Sequence, residues 1–204
     1  VADAAWNVID SHPVRTLLAY AALSGEPNLD PAIDRFLAAG GTVYLPVVTK
    51  VGEPLAFGQV IGSMSSLEPQ GKWGIREPQD SSQPLSADEL LSPEIGLDLI
   101  FVPALGFGAD GARLGNGGGF YDRTFGPQGA APLGSASPEH VSSSADHDES
   151  TPPTHGSASP TDGPRVVGVC FAEELALPGL VAEDWDLRIP AAVTENGLHT
   201  FATS

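Results

Sequence analysis

The chain has 204 residues, 41% of them hydrophobic, which suits one domain with one sizeable core. Nine lysines and arginines stand against 26 aspartates and glutamates, a formal charge of −17. That balance argues against general nucleic-acid binding and leaves any anionic ligand to a few placed arginines and backbone N–H groups. No stretch approaches the ~20 apolar residues of a membrane span, and the opening residues lack the basic-then-apolar pattern expected of a signal peptide.

In chain order, "VADAAWNVI" at the start reads as the interior of a helix. "VRTLLAYAAL" (14–23) is compact and apolar, a buried strand ending at the turn signal "SGEP". "DPAIDRFLAAGG" (30–41) reads as a helix, with Asp30 as N-cap, Pro31 in the first turn and Gly40 and Gly41 at the exit. Its Ile33, Phe36 and Leu37 make an apolar face at i, i+3, i+4. "TVYLPVV" (42–48) is a second strand and "LAFGQVI" (55–61) a weaker third, with a short helix at "SADELL". "LDLIFVPAL" (97–105) and "RVVGVCFA" (165–172) complete the set of buried strands. Strands apolar along their whole length, separated by helices, predict an α/β fold: a mostly parallel sheet with helices on both faces. Cys170, the single cysteine, lies in the last of these runs and is expected to be a buried strand thiol; it suits a reducing, cytoplasmic setting.

Residues 126–164 are rich in Ser, Pro, Gly, Ala and Asp and poor in large apolar side chains, so a disordered insert is expected there. His140, His147 and His155 lie near Asp146, Asp148 and Glu149, but their irregular spacing favours a solvated loop over a metal site.

"RLGNGGGFYDR" (113–123) is the segment with the most chemistry. It follows the strand "LIFVP", and a helix can begin near Tyr121. A strand, a glycine-rich turn and a helix start together aim N–H groups at an anion. Arg113 and Arg123 flank the glycines and can donate forked hydrogen bonds to phosphate oxygens. Asp122 suits a Mg²⁺ that bridges phosphates better than it suits bare phosphate. The run lacks the GK[ST] of a P-loop and the register of a dinucleotide fingerprint. A tight surface turn with incidental charges is the competing explanation.

The run "VPALGFGADGARLGNGGGFYDRTF" (102–125), with its RLG-x-G-x-G-aromatic-Tyr-Asp core, closely resembles the signature of the 5-formyltetrahydrofolate cyclo-ligase family, also called methenyltetrahydrofolate synthetases. "GEPNLDP" (25–31), "VYLPVV", "KWGIREP" (72–78), "VGVCFAEEL" (167–175) and "DWDLRIPAAVTENG" (184–197) resemble other family segments, in the same order. The resemblance implies a single domain over 1–204, a Rossmann-like fold of the sugar-phosphate isomerase/CoA-transferase type, and a cytoplasmic monomer.

It implies ATP- and Mg²⁺-dependent cyclisation of 5-formyltetrahydrofolate to 5,10-methenyltetrahydrofolate, with release of ADP and phosphate. Under that resemblance Arg113, Leu114, Gly115, Asn116, Gly117, Gly118, Gly119, Phe120 and Tyr121 line the ATP phosphates, and Arg113, Tyr121 and Asp122 are catalytic. Asp122 and Asp186 are the expected Mg²⁺ ligands, and Glu26, Trp73 and Tyr121 the expected folate contacts. Members open with a basic helix carrying a Lys-x-x-Leu-Arg pattern that has no counterpart here, so Val1 is expected to fall inside the family's second helix. The alternatives are a folate- or nucleotide-binding protein that lost turnover with that helix, and a sugar-phosphate isomerase relative.

Overall fold

A computed structural model of the chain describes residues 1–70, 74–78, 83–133 and 163–202. Trp73, His140, His147, His155 and residues 134–162 of the expected insert lie outside the described residues.

The elements run α1 (Ala2–Asp10), β1 (Thr16–Leu18), α2 (Asp30–Ala38), β2 (Thr42–Val47), β3 (Ala56–Gln59), β4 (Glu68–Gln70), β5 (Ile75–Glu77) and α3 (Ala87–Leu90). There follow β6 (Leu99–Pro103), β7 (Gly106–Phe107), β8 (Arg113–Leu114), α4 (Phe120–Phe125), β9 (Arg165–Val169), β10 (Ala191–Thr194) and β11 (Gly197–Thr200). Seven strands form the main sheet in the order β11-β10-β9-β6-β1-β2-β3, and two small hairpins, β4–β5 and β7–β8, stand apart from it. The five inner strands are parallel, and β3 and β11 close the two edges antiparallel. The expected α/β architecture is thus the one found.

Successive side chains of a strand point to opposite faces, and the strands here divide their apolar residues that way. Leu17, Leu99, Phe101, Val167 and Val169 pack on one face, with Ala5, Val8 and Ile9 of α1 and Ile33 and Phe36 of α2. Leu18, Ile100 and Val102 pack on the other, with Ala87 and Leu90 of α3 and Phe125 of α4. Each fully buried Leu, Ile or Phe contributes roughly 1.5–3 kcal/mol relative to exposure. This is why the strand sequences read as unbroken apolar runs. Among the described residues no helix is long and apolar enough to cross a membrane.

Several expectations shift in detail. The first strand ladders over three residues only; Ala19 still bonds Tyr44, and Tyr20 and Ala21 then leave the sheet to become cleft wall. Leu29, not Asp30, caps α2, and the Asp30 carboxylate is drawn off to grip Arg76 with both oxygens, at 2.8 and 3.0 Å. In α3 a reciprocal cap replaces length: Ser86 Oγ accepts from the Glu89 N–H, and the Ser86 N–H donates to Glu89 Oε2 at 2.7 Å.

The expected insert also begins in packed chain. Ala130, Ala131 and Leu133 donate backbone bonds to Arg123, Thr124 and Phe125, and Ala131 is buried. Small residues allow that close return onto α4.

Cys170 is buried, as expected, but β9 ends at Val169, so it lies one residue past the strand that was expected to carry it. Burial, and secondarily Glu174 and Glu195, push its thiol up to about 12. The native protein should therefore resist a thiol-specific reagent at pH 8 and react once denatured. An unfolded thiol ionises near about 8.5, whereas the folded one holds its proton until about 12. The unfolded chain binds fewer protons in that window, so stability present below it is lost as pH rises through it. Rapid labelling of the native chain would contradict this placement.

Candidate active site

A cleft of about 630 Å³ opens beyond the carboxyl ends of the central strands. Tyr20 and Ala21 follow β1, Pro46 and Val48 mark the end of β2, and Pro103 ends β6; all line it. From β1 the chain crosses to β2 on one side, whereas β6, β9 and β10 are laid down on the other. The cleft therefore lies at the point where strand order reverses, the usual ligand crevice of open α/β sheets.

One wall is the glycine run. It does not leave β6 directly: the β7–β8 hairpin comes first, and Arg113 belongs to its second strand. Every residue from 113 to 122 lines the cleft. Gly117 and Gly119 hold φ of +79° and +59°, the left-handed region that glycine adopts without a side-chain penalty. Gly119 caps α4 in that conformation. Thr124 fixes α4 against the sheet, accepting from the Leu55 N–H at 2.9 Å and donating to the Phe120 carbonyl at 2.6 Å.

The two arginines flanking the glycines part company. Arg113 has a side chain only 6% exposed, and its Nη2 donates to Asp122 Oδ2 at 3.0 Å. Its Nε is buried with no protein partner, a donor that an anionic oxygen in the cleft would satisfy. Arg123 is not on the cleft wall. Its Nη2 donates to the Gly118 carbonyl and its guanidinium carbon lies 5.3 Å from the Phe120 ring centre, so it braces the loop. Turning that carbonyl onto Arg123 keeps an acceptor from competing with an incoming anion.

Asp122 is bonded on both oxygens, since Oδ1 accepts from the Leu187 N–H at 3.1 Å. Tyr121 lies with its ring 5.3 Å from the Arg113 guanidinium carbon. Burial raises its phenol above the ordinary range, partly offset by Arg113, so it is a hydrogen-bond donor and no base at neutral pH. Across the cleft, Glu26 accepts from the Leu23 N–H through Oε2 at 2.9 Å and from Asn116 Nδ2 through Oε1 at 2.9 Å. The Tyr20 hydroxyl braces the same turn by donating to the Pro27 carbonyl at 2.7 Å.

Of the residues expected from sequence, the structure thus gathers Arg113, Leu114, Gly115, Asn116, Gly117, Gly118, Gly119, Phe120, Tyr121, Asp122 and Glu26 around one cleft. Trp73 lies outside the described residues. Asp186 does not line the cleft; its Oδ2 accepts from the Glu183 N–H at 2.9 Å and closes its own turn. Sequence reasoning missed Arg76, which lines the cleft from β5 while paired to Asp30. Its only signal was its place inside "KWGIREP".

Magnesium held by phosphates and water needs just one or two carboxylates from the protein. Asp122 fits that role, having lone pairs left over and a place beside the loop. Asp186 is set apart by its place, since it does not line the cleft. No cluster of three or more His, Cys, Asp or Glu side chains that could hold a metal alone occurs among the described residues.

A family model described as the 5-formyltetrahydrofolate cyclo-ligase family matches residues 3–141. A 5-formyltetrahydrofolate cyclo-ligase of Mycolicibacterium smegmatis is 37% identical over 116 residues, covering 54% of this chain and 54% of that protein. The Escherichia coli enzyme of the same name is 32% identical over 117 residues, covering 57% and 59%. The matched part thus spans little more than half the length of either relative. Among solved structures, a 5,10-methenyltetrahydrofolate synthetase of Aquifex aeolicus superposes with a TM-score of 0.61 at 19% identity, covering 100% of this chain and 82% of that one. One from Mycoplasma pneumoniae gives 0.54 at 14% identity, covering 94% and 80%, and both likenesses bear on the fold.

Proposed function

Because the chain belongs to the 5-formyltetrahydrofolate cyclo-ligase family, we propose that its cleft closes 5-formyltetrahydrofolate to 5,10-methenyltetrahydrofolate at the expense of ATP. The observation that carries this reading is that the glycine loop and Glu26 face each other across a single cleft. One wall suits phosphates and the other a ring with paired N–H donors.

In this reading the formyl oxygen takes the γ-phosphoryl group and ADP leaves. N10 then attacks the activated formyl carbon and loses its proton, and phosphate departs as the second C–N bond is completed. The chain needs no covalent nucleophile, since such transfers depend on positioning and charge neutralisation. Residues 115–119 bring backbone close to the phosphates, and the unpartnered Arg113 Nε meets charge developing on them. Asp122 holds Arg113 in place and would be the protein ligand of Mg²⁺. When bound, that ion neutralises phosphate charge. Glu26 accepts hydrogen bonds from the amino-pyrimidine ring, and Tyr121 donates one from its protonated phenol. Ring closure is intramolecular, so a cleft that fixes the fold of the substrate supplies much of the acceleration.

The test mixes the protein with 5-formyltetrahydrofolate and Mg²⁺, with and without ATP, and follows methenyl-folate absorbance. An ATP-dependent rise is expected. Binding of both ligands without any rise would favour a non-catalytic binder of the same family and sink the catalytic reading.

A further inference from the structure

The walls of the cleft come from segments far apart in the chain, and Asn116 joins them. Its amide Nδ2 donates to Glu26 Oε1 at 2.9 Å, linking the tip of the glycine loop to the turn after β1 across 90 positions of sequence. Asn116 is exposed, whereas Glu26 is half-buried and its other oxygen is already fixed by the Leu23 N–H. A carboxylate has about four acceptor positions. With one used on each oxygen, one on each remains for a ligand.

We propose that the Asn116–Glu26 bond couples the two halves of the cleft, so that nucleotide on the glycine loop raises the affinity for the folate, and the folate raises that for nucleotide. This rests on the functional reading above and goes beyond it by making Asn116 a positioning residue. Phosphates gripping residues 115–119 immobilise Asn116, because it lies inside the run they grip. Its amide then holds Oε1, while the Leu23 N–H holds Oε2. The carboxylate is set before the folate ring arrives. The entropy of ordering a glutamate side chain is thereby met once, and the second ligand binds to a wall already arranged. Thermodynamic linkage makes the effect reciprocal, with typical coupling factors of about 5–150-fold.

Isothermal titration calorimetry of 5-formyltetrahydrofolate tests this, on the protein alone and on protein saturated with Mg²⁺ and a non-hydrolysable ATP analogue. The native chain should bind the folate at least about fivefold tighter when the analogue is present. In Asn116→Ala the ratio should fall to about one. In Asn116→Asp it should drop below one, since nucleotide binding would then fix a second carboxylate against Glu26. The side chain is exposed, so neither variant threatens the fold. A residue with only a structural role would alter both affinities and leave their ratio alone. A native ratio of one, or an unchanged ratio in Asn116→Ala, overturns the coupling while leaving the functional reading intact. Failure of the native chain to bind the folate at all overturns both.

Discussion

Asp122→Asn is expected to slow formation of the methenyl product by roughly 10²–10³-fold, the scale set by removing one preorganised electrostatic contact from an active site. The substitution keeps the volume, and its remaining oxygen can still accept from Leu187. What it removes is charge. Arg113, only 6% exposed, loses its counter-ion, and in the proposed reading Mg²⁺ would lose its carboxylate. Breaking a fully buried pair costs about 3–5 kcal/mol. The Asp122 side chain is 21% exposed, so solvent screening makes the stability loss smaller than that. The rate should therefore fall much further than the melting temperature. Absorbance kinetics and a thermal melt on the same preparation separate the two effects. A rate equal to that of the native chain would remove Asp122 from the mechanism.

The largest structural effect is expected at Gly111, in the turn of the β7–β8 hairpin. It holds φ of +81°, and a methyl group there would run into the Ile189 carbonyl oxygen, which is backbone and cannot swing aside. The hairpin tip is docked at that point: the Ile189 N–H donates to the Gly111 carbonyl at 3.1 Å, and Arg188 pairs with Asp110 at 2.8 Å. Gly111→Ala adds left-handed strain of about 1–2 kcal/mol to a steric penalty of about 1–3 kcal/mol, or about 2–5 kcal/mol together. At about 2–4 °C per kcal/mol for a chain of this size, the melting temperature should fall by roughly 4–20 °C. Gly117→Ala is the control. Its φ is +79° but nothing lies near the added carbon, so only the strain of about 1–2 kcal/mol applies. Equal losses in the two variants would mean that the docking of the hairpin contributes nothing.

The parts of this fold that could be read in advance are those with a period or a signature. The runs around Leu99–Pro103 and Arg165–Val169 declare buried strands, and Pro31 with Gly40 brackets α2. The glycine run named its own neighbourhood, and Glu26 joined it only through resemblance. Strand order was out of reach, because the placement of β6 beside β1 depends on packing across 80 residues of chain. The β7–β8 hairpin escaped notice since two-residue strands have no period to detect. Arg113 and Arg123 look equivalent in sequence, five positions on either side of Gly118. They face different ways because one extends from a strand and the other from the first turns of α4. Arg76 was hidden for a related reason: its partner Asp30 lies 46 positions away, and in sequence it looked like a helix cap.

Both arginines on the cleft wall are already neutralised, Arg113 by Asp122 and Arg76 by Asp30. Seen from a Debye length away, roughly 8–10 Å at ordinary ionic strength, these two pairs, the arginines of the cleft wall among the described residues, offer an anion no attractive field, and the chain carries an excess of negative charge. Approach is therefore uphill until the ligand is close enough to meet individual N–H groups. Electrostatic steering, which accelerates many encounters between charged partners, works here in reverse. Added salt relieves the long-range repulsion and hardly touches the short contacts inside, so capture of a polyanion is governed by geometry at the mouth and not by the field around it.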